Sequence, residues 1–324
     1  MPTPKVLLTR RWPGEVEHHL SQRYDLTINE PDTPMDAAAL KAALASYDAV
    51  CPTVTDKLNA EVLTGAAGGK LKILGNYGVG VSHIDLQACK RLGVAVTNTP
   101  DVLTDATAEI AILLMLMAAR RGGEGERQVR AHRWDGWAPT RMIGGAVTGK
   151  TLGLVGFGRI GQATARKAHH GFGMRVLYWS RKRASADVEA QTGGEHCPSL
   201  EDLLERSDFV SLHCPGGAET RHLLNASRLD RMKASAFLIN TARGEVVDEA
   251  ALAVALRNRV IAGAGLDVYE HEPRVPEVFM DLENVVLLPH LGSATLETRV
   301  AMGMRVADNL ERFFAGLEPG DRVA

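Results

Sequence analysis

The sequence predicts an α/β protein built as two doubly wound parallel-sheet domains, and three observations predict it. Short apolar runs alternate with helical segments almost from end to end, the pattern of parallel strands joined by crossover helices. The length of 324 residues suits two domains sharing a boundary. Hydrophobic residues make up 45% and charged residues 23%, enough to bury a sizeable core in each.

Taken in order, KVLLT, DLTINE, DAVCPTV, LKILGNYG and VAVTN read as strands of a first sheet, and MDAAALKAALASY carries helical periodicity between two of them. TDATAEIAILLMLMAARR follows as one long helix with Thr104 and Asp105 near its start. Its apolar residues cover more than one face, so it is expected to pack on both sides. RRGGEGERQVRAHRWDGW, rich in glycine and charge, is expected to form an interdomain or intersubunit arm. A second series begins at Thr151: TLGLVGFG, RVLYWS, DFVSLHCP, AFLINTAR, AGAGLDV and NVVLLPH, read as six strands. SATLETRVAMGMRVADNLERFFAGLE is an amphipathic helix that returns to the first domain. That domain is therefore expected to be discontinuous, residues 1–99 plus 292–324, around a second domain of residues 100–291.

Charge and cysteine usage exclude several classes. A formal net charge of −2 gives no basic field for phosphate backbones, so nucleic acid is not an expected partner. The four cysteines, Cys51, Cys89, Cys197 and Cys214, form neither a CxxC pair nor a metal-ligand spacing, so reduced thiols and no metal site are expected. MPTPKVLLTRRWPGE has no signal-peptide architecture, and the apolar stretch Ile110 to Ala119 falls short of the roughly 20 residues that span a bilayer. A cytoplasmic protein with no membrane partner is expected.

VGFGRIG is the most informative segment. Gly156, Gly158 and Gly161 follow the apolar strand Leu152 to Val155 and lead directly into a helix. Binding a dinucleotide needs a tight turn, a backbone bare enough for the pyrophosphate to approach, and a helix N-terminus whose free N–H groups face the anion. The second domain is accordingly expected to be Rossmann-type. An acidic residue about 20 positions further on would accept from the ribose 2′-hydroxyl of NAD. Here the strand Arg175 to Trp179 ends in Ser180, Arg181, Lys182 and Arg183, a hydroxyl and cations in its place. NADP(H) is the expected preference, with NAD(H) possible.

Three ionisable residues fall at later strand ends: Arg243 in NTARGEVVDE, Glu272 in GLDVYEHEP and His290 in LLPHLGSAT. The carboxyl ends of strands frame the ligand crevice of an open α/β sheet. VGFGRIG, NTARGEVVDE, AGAGLDVYEHEP and LLPHLGSAT, in this order, resemble the D-isomer-specific 2-hydroxyacid dehydrogenases over nearly the whole chain. NYGVGVSHIDL, NTPDVLTDATAE and YWSRKR are similar to the glyoxylate and hydroxypyruvate reductases among them, and the resemblance implies a flavodoxin-like substrate domain beside the Rossmann-type one.

The resemblance also implies roles. His290 is the acid for the carbonyl oxygen, Glu272 pairs with it and fixes its orientation, and Arg243 holds the substrate carboxylate and keto oxygen. Gly78, Val79 and Gly80 form a turn whose bare N–H groups can hold a carboxylate, and Val79 and Gly80 do so by resemblance. By the same analogy Thr104, Arg159, Ile160, Cys214, Thr241, Ala242, Asp267 and Gly292 line the cofactor with the glycines. Trp134, Trp137 and Arg141 either cap the substrate pocket across a dimer interface or pack that interface, and a homodimer is expected. The implied activity is NADPH-dependent reduction of small 2-keto acids, glyoxylate and hydroxypyruvate first. A 3-phosphoglycerate dehydrogenase is the rival within the class, though Ser180 suits NAD poorly. A dinucleotide-sensing module like the corepressors that share this fold is the rival outside it.

Overall fold

The molecule, described by a computed structural model over residues 2–324, divides into two compact units. The first comprises Met1–Leu103 and Ala294–Ala324, the second Thr104–Ser293. The divisions lie a few residues beyond the boundaries expected at 99/100 and 291/292. At the first, Thr104 opens the helix Thr104–Ala119, which packs within the second unit. At the second, Gly292 is fastened to that unit by bonds to Asp267 and Thr107.

The first unit holds strands β1 (Lys5–Leu8), β2 (Asp25–Ile28), β3 (Ala49–Cys51), β4 (Ile73–Gly75) and β5 (Ala95–Thr97). All pair in parallel in the order β2-β1-β3-β4-β5, the flavodoxin-like arrangement. The central strands are continuous apolar runs because helices cover both faces of a parallel sheet. Val6, Leu8, Val50, Ile73 and Leu74 are fully buried. Side-chain caps set the helix starts: Asp36 accepts from Ala39 N–H at 2.7 Å and Asp85 from Ala88 N–H at 2.9 Å. The long helix Leu296–Phe314 belongs to this unit. Its Val306 lies against Gly75 of β4 and its Gly303 against Val16. The chain end then covers the open edge of β5, with Val323 N–H donating to Val96 O at 2.8 Å and Val96 N–H to Ala324 O at 3.0 Å.

The second unit contains β6 (Thr151–Val155), β7 (Arg175–Trp179), β8 (Gly194–His196), β9 (Phe209–Leu212), β10 (Phe237–Asn240), β11 (Gly263–Leu266) and β12 (Val285–Leu287). This parallel sheet has seven strands, not the six expected, because the edge strand β8 is added beside β7. The order β12-β11-β10-β9-β6-β7-β8 is Rossmann-type. From β6 the chain moves outward through β7 and β8, then returns to the other side of β6 to lay down β9. The crevice beyond the carboxyl ends of β6 and β9 is therefore the topological switch point, where such sheets bind their ligands.

The Thr104–Ala119 helix buries Ala108, Ala111 and Leu114 in this unit, with Leu114 against Gly265 of β11. Lys167 ties it to the helix Arg159–Phe172 through Asp105 and Glu109. The segment read as an arm begins with the helix Gly122–Arg130, which buries no residue. Among the described residues no helix is long and apolar enough to cross a membrane. Nor does any group of three or more His, Cys, Asp or Glu among them stand ready to hold a metal. All four cysteines are free and buried.

Candidate active site

The glycine turn sits at the switch point. Gly156 directly follows β6 with φ +94°, and a Cβ there would lie 2.7 Å from the backbone nitrogen of Cys214 and 2.7 Å from the carbonyl carbon of His213. Only glycine satisfies both the positive φ and the close approach of the β9 loop. Gly158 is the N-cap of the helix Arg159–Phe172, with no side chain capping the helix and no atom within 4 Å of where a Cβ would stand. Arg159, Ile160 and Gly161 form the first helical turn, which contains no acidic residue. The helix N-terminus, with no side-chain cap and no acidic residue to offset its dipole, therefore faces an open space suited to an anion. Cys214 is buried beneath the turn, and burial pushes its thiol up to about 11, so it is neutral and unreactive there.

Beyond β7 the cationic loop is already partly committed. Ser180 Oγ donates to Lys182 O at 2.6 Å. Arg181 Nη1 lies 3.1 Å from Glu219 Oε2. Arg183 forms two 2.9 Å bonds to Glu189, which also accepts from Tyr178 Oη at 2.5 Å. Lys182 has no ion pair among the described residues.

On the other side of the switch point, residues after β10, β11 and β12 converge. His290 Nδ1 lies 2.8 Å from Glu272 Oε2, with both side chains 32% exposed. Burial would push the Glu272 carboxyl up. The bond from His290, its charge, the Tyr269 N–H donating at 3.0 Å and nearby Arg243 outweigh that and hold it below the usual range. An ionised carboxylate only accepts, so Nδ1 carries the hydrogen and Nε2 is left without a hydrogen-bond partner among the described residues. His290 itself adopts φ +56°, held by its N–H donating to Asp267 O at 2.9 Å. The buried Asp267 accepts from Leu291 N–H at 2.6 Å and Gly292 N–H at 2.8 Å. Burial raises its pKa, opposed by those N–H groups and by His290.

Arg243 follows β10 and is half-buried. Asn240 shapes the turn that presents it, accepting from Ala242 N–H at 3.0 Å and donating to Arg243 O at 2.9 Å. Burial lowers the Arg243 pKa against the pull of Glu272 and Glu245, and the guanidinium stays charged. Gly244 fixes the neighbourhood, since a Cβ there would fall 1.8 Å from the carbonyl carbon of Tyr269. Only glycine lets the Arg243 turn lie against the loop that carries Glu272. Thr241 Oγ1 is buried with no hydrogen-bond partner among the described residues. Thr104 is partly exposed at the start of its helix. Sequence reasoning missed Asn240, Thr107, which donates to Gly292 O at 2.9 Å, and the Tyr269 N–H.

In the first unit, the turn after β4 is braced from behind. The buried Asn76 donates to Gly78 O at 2.9 Å and Gly80 O at 3.1 Å, and Asn98 donates to Val79 O at 2.9 Å. The Val79 and Gly80 N–H groups have no acceptor among the described residues. They are therefore two neighbouring donors left open by the turn. Trp134 and Trp137 are 65% and 83% exposed, and Arg141 pairs with Asp135.

A glycine turn at a switch point, with a histidine–carboxylate pair and an arginine on neighbouring strand ends, defines a dinucleotide-dependent oxidoreductase. The family model described as D-isomer specific 2-hydroxyacid dehydrogenase, NAD binding domain, matches residues 112–292. The chain is 45% identical over 320 residues to a glyoxylate reductase of Thermococcus onnurineus (strain NA1), covering 98% of this chain and 94% of that one. It is 45% identical over 322 residues to a glyoxylate reductase of Korarchaeum cryptofilum (strain OPF8), covering 99% and 96%. It also resembles a crystal structure of an NADPH-dependent glyoxylate/hydroxypyruvate reductase from Sinorhizobium meliloti in complex with NADP and malonate. That match has a TM-score of 0.87 and 36% identity, over 99% of this chain and 97% of the other. The chain belongs to the D-isomer-specific 2-hydroxyacid dehydrogenase family, and is an NAD(P)-dependent enzyme of it.

Proposed function

We propose that the protein is an NADPH-preferring 2-keto acid reductase. It would reduce glyoxylate and hydroxypyruvate to the corresponding 2-hydroxy acids, in the D configuration where that carbon is a stereocentre. The observation that carries this is the 2.8 Å His290–Glu272 pair with Arg243 beside it at the strand ends. The names of the relatives point the same way: two are glyoxylate reductases, and the Sinorhizobium enzyme is NADPH-dependent.

The residues fit a dinucleotide. Gly156, Gly158 and the first turn of the Arg159–Phe172 helix would hold its pyrophosphate. Ser180, Arg181 and Lys182 would meet the adenosine 2′ position, and the unpartnered Thr241 hydroxyl, Ala242, Cys214, Thr104, Asp267 and Gly292 would line the remainder. When bound, its nicotinamide supplies the hydride to the keto carbon.

The protein's own groups do the rest. Arg243 presents a planar fork to the substrate carboxylate and keto oxygen, polarising the carbonyl. In the first unit, the Val79 and Gly80 N–H groups are of a kind suited to a carboxylate. His290 delivers a proton from Nε2 to the keto oxygen, passing from imidazolium to neutral imidazole while Nδ1–H stays on Glu272. Glu272 keeps its negative charge throughout and fixes the ring. Oxidation runs the same proton back to Nε2.

We further propose a homodimer, because Val129, Trp134, Trp137 and Ile143, all large apolar side chains of one segment, are exposed to water and would be covered by a second copy. Buried, reduced thiols suit a cytoplasmic location. The test is a steady-state panel of glyoxylate, hydroxypyruvate, pyruvate and 3-phosphohydroxypyruvate, each with NADPH and NADH. The expected result is highest kcat/KM for glyoxylate or hydroxypyruvate with NADPH. A clear preference for 3-phosphohydroxypyruvate with NADH would overturn it.

A further inference from the structure

We propose that Glu219 sets the cofactor preference, by standing as a carboxylate against the adenosine 2′ position from the loop opposite Arg181. The proposal rests on the reading of Ser180 to Lys182 as the 2′ site. β7 and β9 flank β6 in the sheet, so the loops that follow them stand on either side of the glycine turn that follows β6. Arg181 comes from the β7 loop and Glu219 from the β9 loop. Their side chains meet at 3.1 Å, so an ion pair joins the two loops that flank the glycine turn.

The position of Glu219 is set by its loop. Gly217 N–H donates to Glu245 Oε1 at 2.8 Å, and Thr220 Oγ1 donates to Pro215 O at 2.7 Å. His222 N–H donates to Glu245 O at 2.8 Å, closing the loop from its far end. The carboxylate is therefore delivered by a braced segment, although the side chain itself is 81% exposed and its partner 77% exposed.

A surface ion pair of this kind is weak and yields readily to a ligand. A 2′-phosphate that takes Arg181 must displace Glu219 or lie beside it, and two anions within a few ångströms repel. A ribose 2′-hydroxyl has the opposite need, since it seeks an acceptor, and an ionised carboxylate is one. The strand end after β7 lacks the acidic residue that NAD sites carry there. Glu219 supplies that acceptor from the β9 loop. Arg183 is held by Glu189, so Arg181 and Lys182 face the carboxylate's influence with no further cation of the loop free to offset it. The chain is thus built to use both cofactors, leaning to NADPH through its cations and checked by Glu219.

Calorimetric titration of NADP+ and NAD+ into the full chain, its Glu219→Gln variant and its Arg181→Ala variant tests this. Glu219→Gln is expected to tighten NADP+ about five-fold and to loosen NAD+, with the gain for NADP+ shrinking at high salt. Arg181→Ala is expected to weaken NADP+ selectively. If Arg181→Ala does so while Glu219→Gln moves both cofactors together or neither, Glu219 has no such role although the 2′ site stands. If Arg181→Ala weakens both equally, the 2′ site is misplaced and the role of Glu219 falls with it.

Discussion

His290 sits in a backbone conformation that few side chains adopt, φ +56°, and the surrounding bonds hold it there. Asp267 takes its N–H through a main-chain carbonyl and then fastens the next two residues with its carboxylate, while Glu272 takes the ring. The position therefore fixes the ring's direction before substrate arrives, which is what proton transfer at a defined atom requires. Replacing His290 with Gln is expected to lower kcat by roughly 10²- to 10⁴-fold, with NADPH dissociation constants changed little. Steady-state kinetics beside a fluorescence titration checks both; loss of binding in place of turnover would show the histidine to be structural. His290, Glu272 and Arg243 stand out as ionisable residues at the ends of apolar runs, and their roles are carried over from the family resemblance. Asn240 was not legible, since its amide works on main-chain groups at the end of a buried strand. The Tyr269 N–H leaves no mark in the sequence at all.

At the scale of elements, the site depends on segments that touch backbone to backbone. The 1.8 Å overlap that a Cβ on Gly244 would make with Tyr269 forces the Arg243 turn and the Glu272 loop apart. Gly244→Ala is expected to cost roughly 1–3 kcal/mol, a drop of several degrees in Tm by calorimetry, and to abolish most turnover. The β9 loop offers a pH test. His213 lies under the glycine turn with Nε2 2.9 Å from Ser211 Oγ, and burial pushes its pKa down to about 4 from an ordinary 6.5. The unfolded chain then binds a proton that the folded one refuses. Stability from this group is complete above about pH 6.5 and falls as pH drops toward about 4. In denaturant titrations across that window, His213→Asn is expected to lose stability less steeply than the parent. The difference would be up to about 1.4 kcal/mol per pH unit. Equal slopes would mean the histidine titrates normally. Among the elements, the glycine turn and the alternating strands were readable. The edge strand β8 was not, because Gly-Glu-His has no β-branched residue and no Tyr, Phe or Trp, and is recognised by its pairing with β7.

For the whole molecule, the alternation of strands and helices was enough to give two parallel sheets and a discontinuous first unit, because crossover connections leave few other topologies. The two units part near the start of the Thr104 helix and just after the hydrogen bonds at Gly292, and neither feature has a compositional signal. Assembly is the least legible property from one chain. If the exposed tryptophans pack against a second copy, replacing Trp134 and Trp137 together with Ser is expected to shift sedimentation from dimer mass toward monomer, and an unchanged mass would place the interface elsewhere. The central claim is that the strand-end constellation reduces a keto acid. Its most direct test is the glyoxylate-dependent oxidation of NADPH by the purified chain. Steady turnover is expected, on the order of 1–10³ per second at saturation. Tight NADPH binding with no oxidation in the presence of glyoxylate, hydroxypyruvate or pyruvate would contradict it and indicate a protein that senses the dinucleotide without using it.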